Sequence, residues 1–200
     1  MLTFNAERHE YRWKGAIVPG VTSLLAPIHD FSKVPRQVLE AAQARGQYVH
    51  AMTELFDLGV LDEDANACVN EGAYVGYLAA WKAFLAEYEP NWLEIEQQGF
   101  CEALGYAGTW DRFGTFARKR PGRWLIDVKT SGDPYDAWGV QTAAYRRIRA
   151  ESDPMASLDN RGTVQLHADG TFDLREWTGP DDWACFNALL TVHNWRSRCN

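Results

Sequence analysis

The chain has 200 residues, of which 46% are hydrophobic and 13% aromatic, and its formal net charge is −7. This composition is sufficient for one sizeable core and argues against a disordered chain. The negative charge argues against a protein that coats nucleic acid non-specifically. No apolar run approaches the roughly 20 residues of a membrane span, and the first residues lack the pattern of a secretory signal. We therefore expect one domain over residues 1–200 that contacts no membrane and lies in the cytoplasm.

The amino-terminal half is predicted to contain short strands followed by two helices. Lys14-Gly15 provides a turn between the first strands. Ser32 can cap the first helix, with Pro35 in its first turn, and Pro90 ends the second helix. In chain order the predicted segments are strands and turns over residues 1–25, a helix over 34–58, an acidic loop over 61–70 and a helix over 71–89.

The carboxyl-terminal half begins where the apolar period changes to two, which is typical of strands. Asp169-Gly170 is expected to turn a hairpin, and Thr178 is expected to cap the last helix. The predicted segments are strands over residues 91–106, 106–117 and 123–130, a helix over 133–152, a hairpin over 163–177 and a helix over 178–195. This order predicts an α/β fold with a mixed central β-sheet flanked by helices.

Opposite charges interrupt an otherwise apolar strand at Asp127 and Lys129. Residues two apart share one face of a strand, so both point the same way while Val128 points into the core. Asp111 on the preceding strand can reach the same face, although its register is uncertain. Two carboxylates this close repel each other unless a cation lies between them. Their oxygens, with the Val128 carbonyl and water, suit Mg²⁺ or Mn²⁺; the alternative is a plain salt bridge on an exposed face.

Lys129 has a chemical use beside such an ion. A divalent cation makes bound water more acidic and thus able to attack a phosphodiester. The ammonium can orient that water or stabilise the charge that develops on the phosphate.

Four blocks of sequence resemble the PD-(D/E)XK nuclease superfamily, in particular its RecB-like, phage-exonuclease-type branch. They agree with that branch in order and in rough spacing, over about residues 17–148. The blocks are "RGQYVHAMTE" with His50, "GYAGTWDRFG" with Asp111, "WLIDVKTS" with Asp127 and Lys129, and "QTAAY" with Gln141 and Tyr145.

This resemblance implies a restriction-endonuclease-like core with Asp111, Asp127 and His50 as metal ligands. An upstream acid is also expected to take part in catalysis. Glu96 is favoured for it, although Glu94 is predicted to share its strand face. His50 on its own would more often be an ordinary core or surface histidine.

Several residues are expected to contact the substrate. Gln141 and Tyr145 are four apart and share a helix face, on which Trp138 also lies. An amide, a phenol and an indole beside a metal suit contacts to phosphate, sugar and base; the alternative is an ordinary surface helix. The remaining candidates adjoin the two metal-binding strands and are Arg112, Thr130 and Ser131.

The function implied by the resemblance is a Mg²⁺- or Mn²⁺-dependent DNA nuclease that leaves 5′-phosphate products. An exonuclease of recombination, repair or phage DNA metabolism is favoured, in a bacterial or phage-infected cell. A recombination protein and a second copy of the chain are possible partners. The alternatives are a weakly catalytic DNA-binding or assembly module and an RNA-cleaving enzyme. Two basic clusters, over residues 118–123 and 146–149, are either nucleic-acid surface or solvated faces.

Overall fold

The structure is a computed structural model that describes residues 1–5, 8–29, 34–131 and 135–199. Its first element is a small antiparallel sheet of three short strands, β1 (Leu2–Asn5), β2 (Glu10–Trp13) and β3 (Ala16–Val18). Lys14 and Gly15 both have positive φ angles, of 50° and 88°, and form the tight turn between β2 and β3. The predicted turn at these two residues is therefore confirmed.

Four helices follow the first sheet: α1 (Val21–Leu24), α2 (Arg36–Asp57), α3 (Glu63–Cys68) and α4 (Val75–Tyr88). The two long helices were predicted, but the acidic loop over residues 61–70 was wrong because it contains α3. The Asp62 side chain accepts a hydrogen bond from the Ala65 amide at 2.9 Å and caps α3. Glu63 and Asp64 then lie in its first turn, where the helix dipole favours negative charge. Ser32, the predicted cap of α2, lies outside the described residues.

The centre of the fold is a five-stranded mixed sheet. Its strands are β4 (Pro90–Cys101), β5 (Tyr106–Phe116), β6 (Gly122–Lys129), β7 (Asn160–Leu166) and β8 (Phe172–Glu176). Neighbours along the chain are neighbours in the sheet. Only the β6–β7 pair is parallel, since helix α5 (Ala137–Arg149) connects these two strands. The predicted α/β architecture with a mixed sheet flanked by helices is confirmed.

The last helix, α6, spans Asp182–Cys199. It begins four residues after Thr178, so the prediction that Thr178 caps it was wrong.

Side chains of β6 alternate between two apolar layers. Leu125 packs with residues of α1, α5 and α6 on one face of the sheet. Ile126 and Val128 pack with residues of α2 and α4 on the other face. Val128 is fully buried, as expected from the strand pattern. Asp127 and Lys129 therefore have the same orientation as Leu125, towards α5.

None of the helices in the described ranges combines the length and the apolar character that a membrane span requires.

Candidate active site

Two carboxylates lie side by side on the neighbouring strands β5 and β6. The antiparallel register pairs Arg112 with Ile126, and one further step along both strands brings Asp111 opposite Asp127. The Val128 amide donates a hydrogen bond to Asp111 Oδ2 at 2.5 Å. Both aspartates are buried, with 6% and 3% of their surface exposed. The register that the sequence left uncertain therefore brings the two acids together.

Three potential metal ligands converge from three separate elements. His50 comes from α2, Glu96 from β4 and Asp111 from β5, and one donor atom of each lies within 4.8 Å of the others. His50 Nδ1 is 3.4 Å from Asp111 Oδ1. The structure thus brings together the predicted ligands His50 and Asp111 with the predicted upstream acid Glu96.

Asp127 lies beside that cluster and contacts Lys129. Its Oδ2 atom is 2.5 Å from Lys129 Nζ, which confirms that the two side chains share a face. Apart from this ion pair, Oδ2 is buried without a hydrogen-bonding partner among the described residues. Val128, whose carbonyl was predicted as a ligand, contributes its amide to Asp111.

The choice between Glu94 and Glu96 is decided by an irregularity of β4. Glu96 has a φ angle of 47°, in the left-handed region, which interrupts the alternation of the strand between the two glutamates. Glu94 accepts hydrogen bonds from Trp110 Nε1 and Arg149, whereas Glu96 joins His50 and Asp111. The expectation that both glutamates share one environment was therefore wrong, and Glu96 is the acid at the site.

Arg112 occupies a buried position beneath the site rather than a surface that a substrate could reach. The side chain is fully buried, and its guanidinium donates to Asp57 Oδ2 at 2.7 Å and to Glu96 Oε1 at 3.0 Å. It also donates to the Asp111 carbonyl and to Thr53 Oγ1. These contacts correct its predicted role: Arg112 holds Glu96 in place and does not contact substrate.

A chain of hydrogen bonds connects β6 with α5. Lys129 Nζ donates to Gln141 Oε1 at 3.1 Å, and Gln141 Nε2 donates to Tyr145 Oη at 2.8 Å. The Trp138 ring centroid is 5.8 Å from Lys129 Nζ. Gln141, Tyr145 and Trp138 are all buried, so the alternative of an ordinary surface helix was wrong. Gln141 contacts the lysine directly, Tyr145 holds the Gln141 amide, and Trp138 offers its ring face to the ammonium.

The two remaining substrate candidates lie just beyond β6. Thr130 is half-buried and faces Gly46 of α2, while Ser131 is exposed and its carbonyl accepts a hydrogen bond from Gln165. Neither residue is among those that line the cavity described next.

The metal-ligand cluster, the Asp127–Lys129 pair and the side chains of Gln141 and Tyr145 all line one cavity of about 810 Å³. Residues of α2, β4, β5, β6 and α5 line most of it. Three further residues, Phe4, His9 and Tyr11, come from the amino-terminal region, and sequence analysis did not identify them. The only available signal was the presence of aromatic residues in short strands, which carries no information on where those strands dock. The lining residues used below are Phe4, His9, Tyr11, His50, Glu54, Glu96, Asp111, Asp127, Lys129, Gln141 and Tyr145.

The charges at the site shift one another's pKa values. Burial alone would lower the pKa of His50, but the Asp111 and Asp127 carboxylates outweigh it and raise that pKa to about 9. Burial, together with repulsion from Asp111, raises the pKa of Glu96 to about 8. Burial also opposes ionisation of Asp111, yet His50 and Lys129 keep its pKa below the usual value. Burial raises the pKa of Asp127 in spite of Lys129.

The first basic cluster is neutralised by acids and does not line the cavity. Its residues lie around the β5–β6 turn and form ion pairs with acids of α4, of the residue that follows α4, of β8 and of the segment before β7. These pairs are Arg118–Glu89, Lys119–Glu87, Arg120–Glu176 and Arg123–Asp159.

The second basic cluster, at the end of α5, has the same character. Arg147 pairs with Glu151, and the buried Arg149 pairs with Glu94 and Asp159. The sequence allowed either a nucleic-acid surface or a solvated face for this cluster. Neither applies to Arg149, because its side chain is buried and pairs with acids in the interior.

Comparison with known proteins gives little further information on this arrangement. No family model matches the chain, and no curated protein matches it. Among solved structures, the crystal structure of SSO0001 is similar with a TM-score of 0.36 and 16% sequence identity, over 74% of this chain and 68% of that one. Function is therefore inferred from the geometry of the site.

Proposed function

We propose that this chain is a Mg²⁺- or Mn²⁺-dependent DNA nuclease with the restriction-endonuclease-like core of the RecB-like branch. The observation that carries the proposal is the convergence of His50, Glu96 and Asp111 within 4.8 Å, beside the Asp127–Lys129 ion pair in the same cavity. A plain salt bridge between Asp127 and Lys129 would not account for the two further acids, Glu96 and Asp111, beside it.

The residues fit a divalent cation. Glu96 and Asp111 are carboxyl groups close together, and burial together with repulsion from Asp111 raises the pKa of Glu96. A cation between them would relieve that repulsion. Asp127 Oδ2 is a further buried carboxylate oxygen beside the cluster, and its positive partner among the described residues is the Lys129 ammonium at 2.5 Å. Carboxylate oxygens suit Mg²⁺ and Mn²⁺, and the imidazole of His50 makes Mn²⁺ the better match.

When bound, the cation would supply an activated water and a polarised phosphodiester. The protein would supply a preorganised positive charge. Lys129 is held between Asp127 and Gln141, where its ammonium would stabilise negative charge that develops on the phosphate oxygens. Because the site is largely buried, such an interaction is stronger than it would be in water. Arg112 fixes the Glu96 carboxylate towards the cluster.

The proposal is tested by metal binding and cleavage in the same preparation. Thermal unfolding is followed in EDTA, Mg²⁺ and Mn²⁺ for the wild type, for Asp111→Asn and for Trp195→Ala, an exposed residue of α6 used as a matched control. End-labelled single-stranded DNA, duplex DNA, circular DNA and RNA are then incubated with each metal. We expect Mn²⁺ to raise Tm and to support DNA cleavage in the wild type and in Trp195→Ala, and to do neither in Asp111→Asn.

Three outcomes would contradict this function. Equal metal-induced Tm shifts in the wild type and Asp111→Asn would contradict a metal site at Asp111. Metal binding without cleavage of any substrate would favour the DNA-binding or assembly module. Cleavage of RNA alone would favour the RNA-cleaving enzyme. Cleavage of circular DNA would correct the preference for an exonuclease.

A further inference from the structure

The amino-terminal sheet forms one wall of the cavity and is attached to the central sheet. Tyr11 Oη lies 2.7 Å from Thr109 Oγ1, and the Ala107 amide donates to the Pro19 carbonyl at 2.9 Å. Trp13 stacks on Phe100 with ring centroids 4.5 Å apart. The wall therefore has a defined position relative to the acids of β4 and β5.

The rings of this wall are not used by the proposed chemistry. Phe4 packs against the buried Tyr11 with centroids 4.5 Å apart, and His9 meets Phe4 edge-on at 5.2 Å. Phe4 is half-buried and His9 is exposed, so both keep ring surface towards the cavity that they line. His9 is not part of the cluster of His50, Glu96 and Asp111.

Charge alone would attract a nucleic acid poorly to this cavity. Among its described lining residues Lys129 is the only lysine or arginine, and it is paired with Asp127. Glu54, Glu96 and Asp111 are acids in the same lining. Nucleic-acid affinity normally comes from lysine and arginine contacts with phosphates. Within the described lining of this cavity, a bound cation and stacking of bases on aromatic rings would supply that affinity instead.

Stacking requires a base whose face is free. In a duplex each base is covered by its neighbours, whereas an unpaired end can insert a base between protein rings. The cavity, of about 810 Å³, has the size of a pocket for one small ligand. We propose that Phe4 and His9 form a base-stacking subsite beside the ion, and that the site takes the unpaired ends of single-stranded DNA. This inference rests on the proposed nuclease function and specifies its substrate.

The test measures binding separately from cleavage. A short single-stranded oligonucleotide with a terminal 2-aminopurine, the matching blunt duplex and the matching RNA are titrated in Mn²⁺ against Lys129→Ala protein. The same background then receives Phe4→Ala, Phe4→Leu, Phe4→Tyr or the control Trp195→Ala. Phe4→Leu keeps apolar bulk without an aromatic face, and it serves as the second variant if Phe4→Ala fails to fold.

We expect Phe4→Ala and Phe4→Leu to weaken single-strand binding about 5- to 150-fold, the range that corresponds to the loss of one stacked base. Phe4→Tyr and Trp195→Ala should remain within about threefold of the parent, because a tyrosine keeps the aromatic face and Trp195 lies outside the cavity. The duplex should bind at least about tenfold more weakly than the single strand. The Tm shift caused by Mn²⁺ should be the same in all variants.

The subsite is overturned if both Phe4→Ala and Phe4→Leu change single-strand binding by less than twofold. It is also overturned if the duplex binds the parent protein as tightly as the single strand does. If the wild type then still cleaves DNA, only the subsite fails. If single-strand binding depends on Phe4 but the wild type cleaves no substrate, the subsite stands and the nuclease function fails. Tighter binding of RNA than of DNA overturns the assignment to DNA.

Discussion

The side-chain oxygen of Gln141 accepts a hydrogen bond from the Lys129 ammonium at 3.1 Å. Gln141 also donates to Tyr145 Oη at 2.8 Å, so its amide has a fixed orientation. A helix and a strand that are adjacent along the chain thereby set the position of one positive charge. If the chain is the nuclease proposed above, this relationship gives α5 a role in positioning the lysine that does not require the helix to contact the substrate.

Gln141→Ala should lower cleavage about 10- to 100-fold, because a small displacement of a catalytic group has an effect of this order. The expected Mn²⁺ affinity is unchanged, since Gln141 is not part of the three-donor cluster. Tyr145→Phe, which removes only the second contact, should lower cleavage less. Single-turnover rates and Mn²⁺ titrations on the same samples provide the measurement. A parallel loss of metal affinity in Gln141→Ala would show that the amide acts on the cluster instead.

Lys129→Ala should abolish detectable cleavage and leave Mn²⁺ binding largely intact. The ammonium contacts Asp127 and Gln141, whereas the three convergent donors are His50, Glu96 and Asp111. The measurement is the Mn²⁺-induced rise in Tm together with cleavage of labelled DNA. Loss of that rise would mean that the lysine helps to assemble the metal site.

The metal-free protein should become less stable as pH rises from about 6.5 to 9. The pKa of His50 rises from 6.5 to about 9 on folding, and that of Glu96 rises from 4.5 to about 8. A group whose pKa is raised by folding contributes stability that is complete below its unfolded pKa and is lost as pH passes its folded pKa. Each kcal/mol lost lowers Tm by about 2–4 °C in a domain of this size.

The measurement for this pH dependence is Tm in EDTA at intervals of half a pH unit. His50→Gln and Glu96→Gln should each flatten the curve, because each removes one titrating group. A Tm that increases from pH 6.5 to 9 would contradict the assignment of these charges.

Arg112→Met should destabilise the protein by about 3–5 kcal/mol, which is the typical effect of removing one partner of a buried ion pair. Arg112 and Asp57 have side chains that are 0% and 2% exposed, so Asp57 would remain as a buried charge without its cation. The matched control is Arg36→Ala, whose ion pair with Glu40 is exposed and should contribute less than about 1 kcal/mol. Urea unfolding of both variants compares them. Similar values for the two would contradict the buried network.

Gly108→Ala should destabilise the protein by about 1–3 kcal/mol and should also slow cleavage. A Cβ atom at Gly108 would lie 2.7 Å from the Tyr145 ring and 3.0 Å from Val21, so the ring that supports Gln141 would have to move. The matched control is Gly46→Ala in helix α2, where the nearest atom would be 3.8 Å away. That variant should stabilise the protein by about 0.5–1 kcal/mol through helix propensity. Equal effects of both substitutions on Tm would show that the predicted clash does not occur.

Local patterns predicted much of this fold. The change of the apolar period to two predicted where the strands begin, and the strands predicted over residues 106–117 and 123–130 correspond to β5 and β6. The pairing of Asp127 with Lys129 followed from the same alternation. These features depend on residues that are close in sequence, which is why one sequence is sufficient to predict them.

Features that depend on irregular backbone or distant contacts could not be predicted in this way. The left-handed backbone of Glu96 separates the environments of Glu94 and Glu96, and alternation alone gives no sign of it. The burial of Arg112 depends on its contact with Asp57, the last residue of helix α2. Phe4 reaches the cavity only because the first sheet docks on β5.

The residues around Lys129 belong to one β–α unit, and Glu96 and Asp111 belong to one pair of adjacent strands, whereas His50 reaches Asp111 from helix α2, much earlier in the chain. Contacts between nearby residues close short loops and tend to form early in folding, while distant ones form late. A partly folded chain would therefore acquire its oriented lysine before it could retain an ion. If refolding is monitored by Mn²⁺ binding, the signal would report when α2 packs against the sheet. Cleavage would begin only after that step.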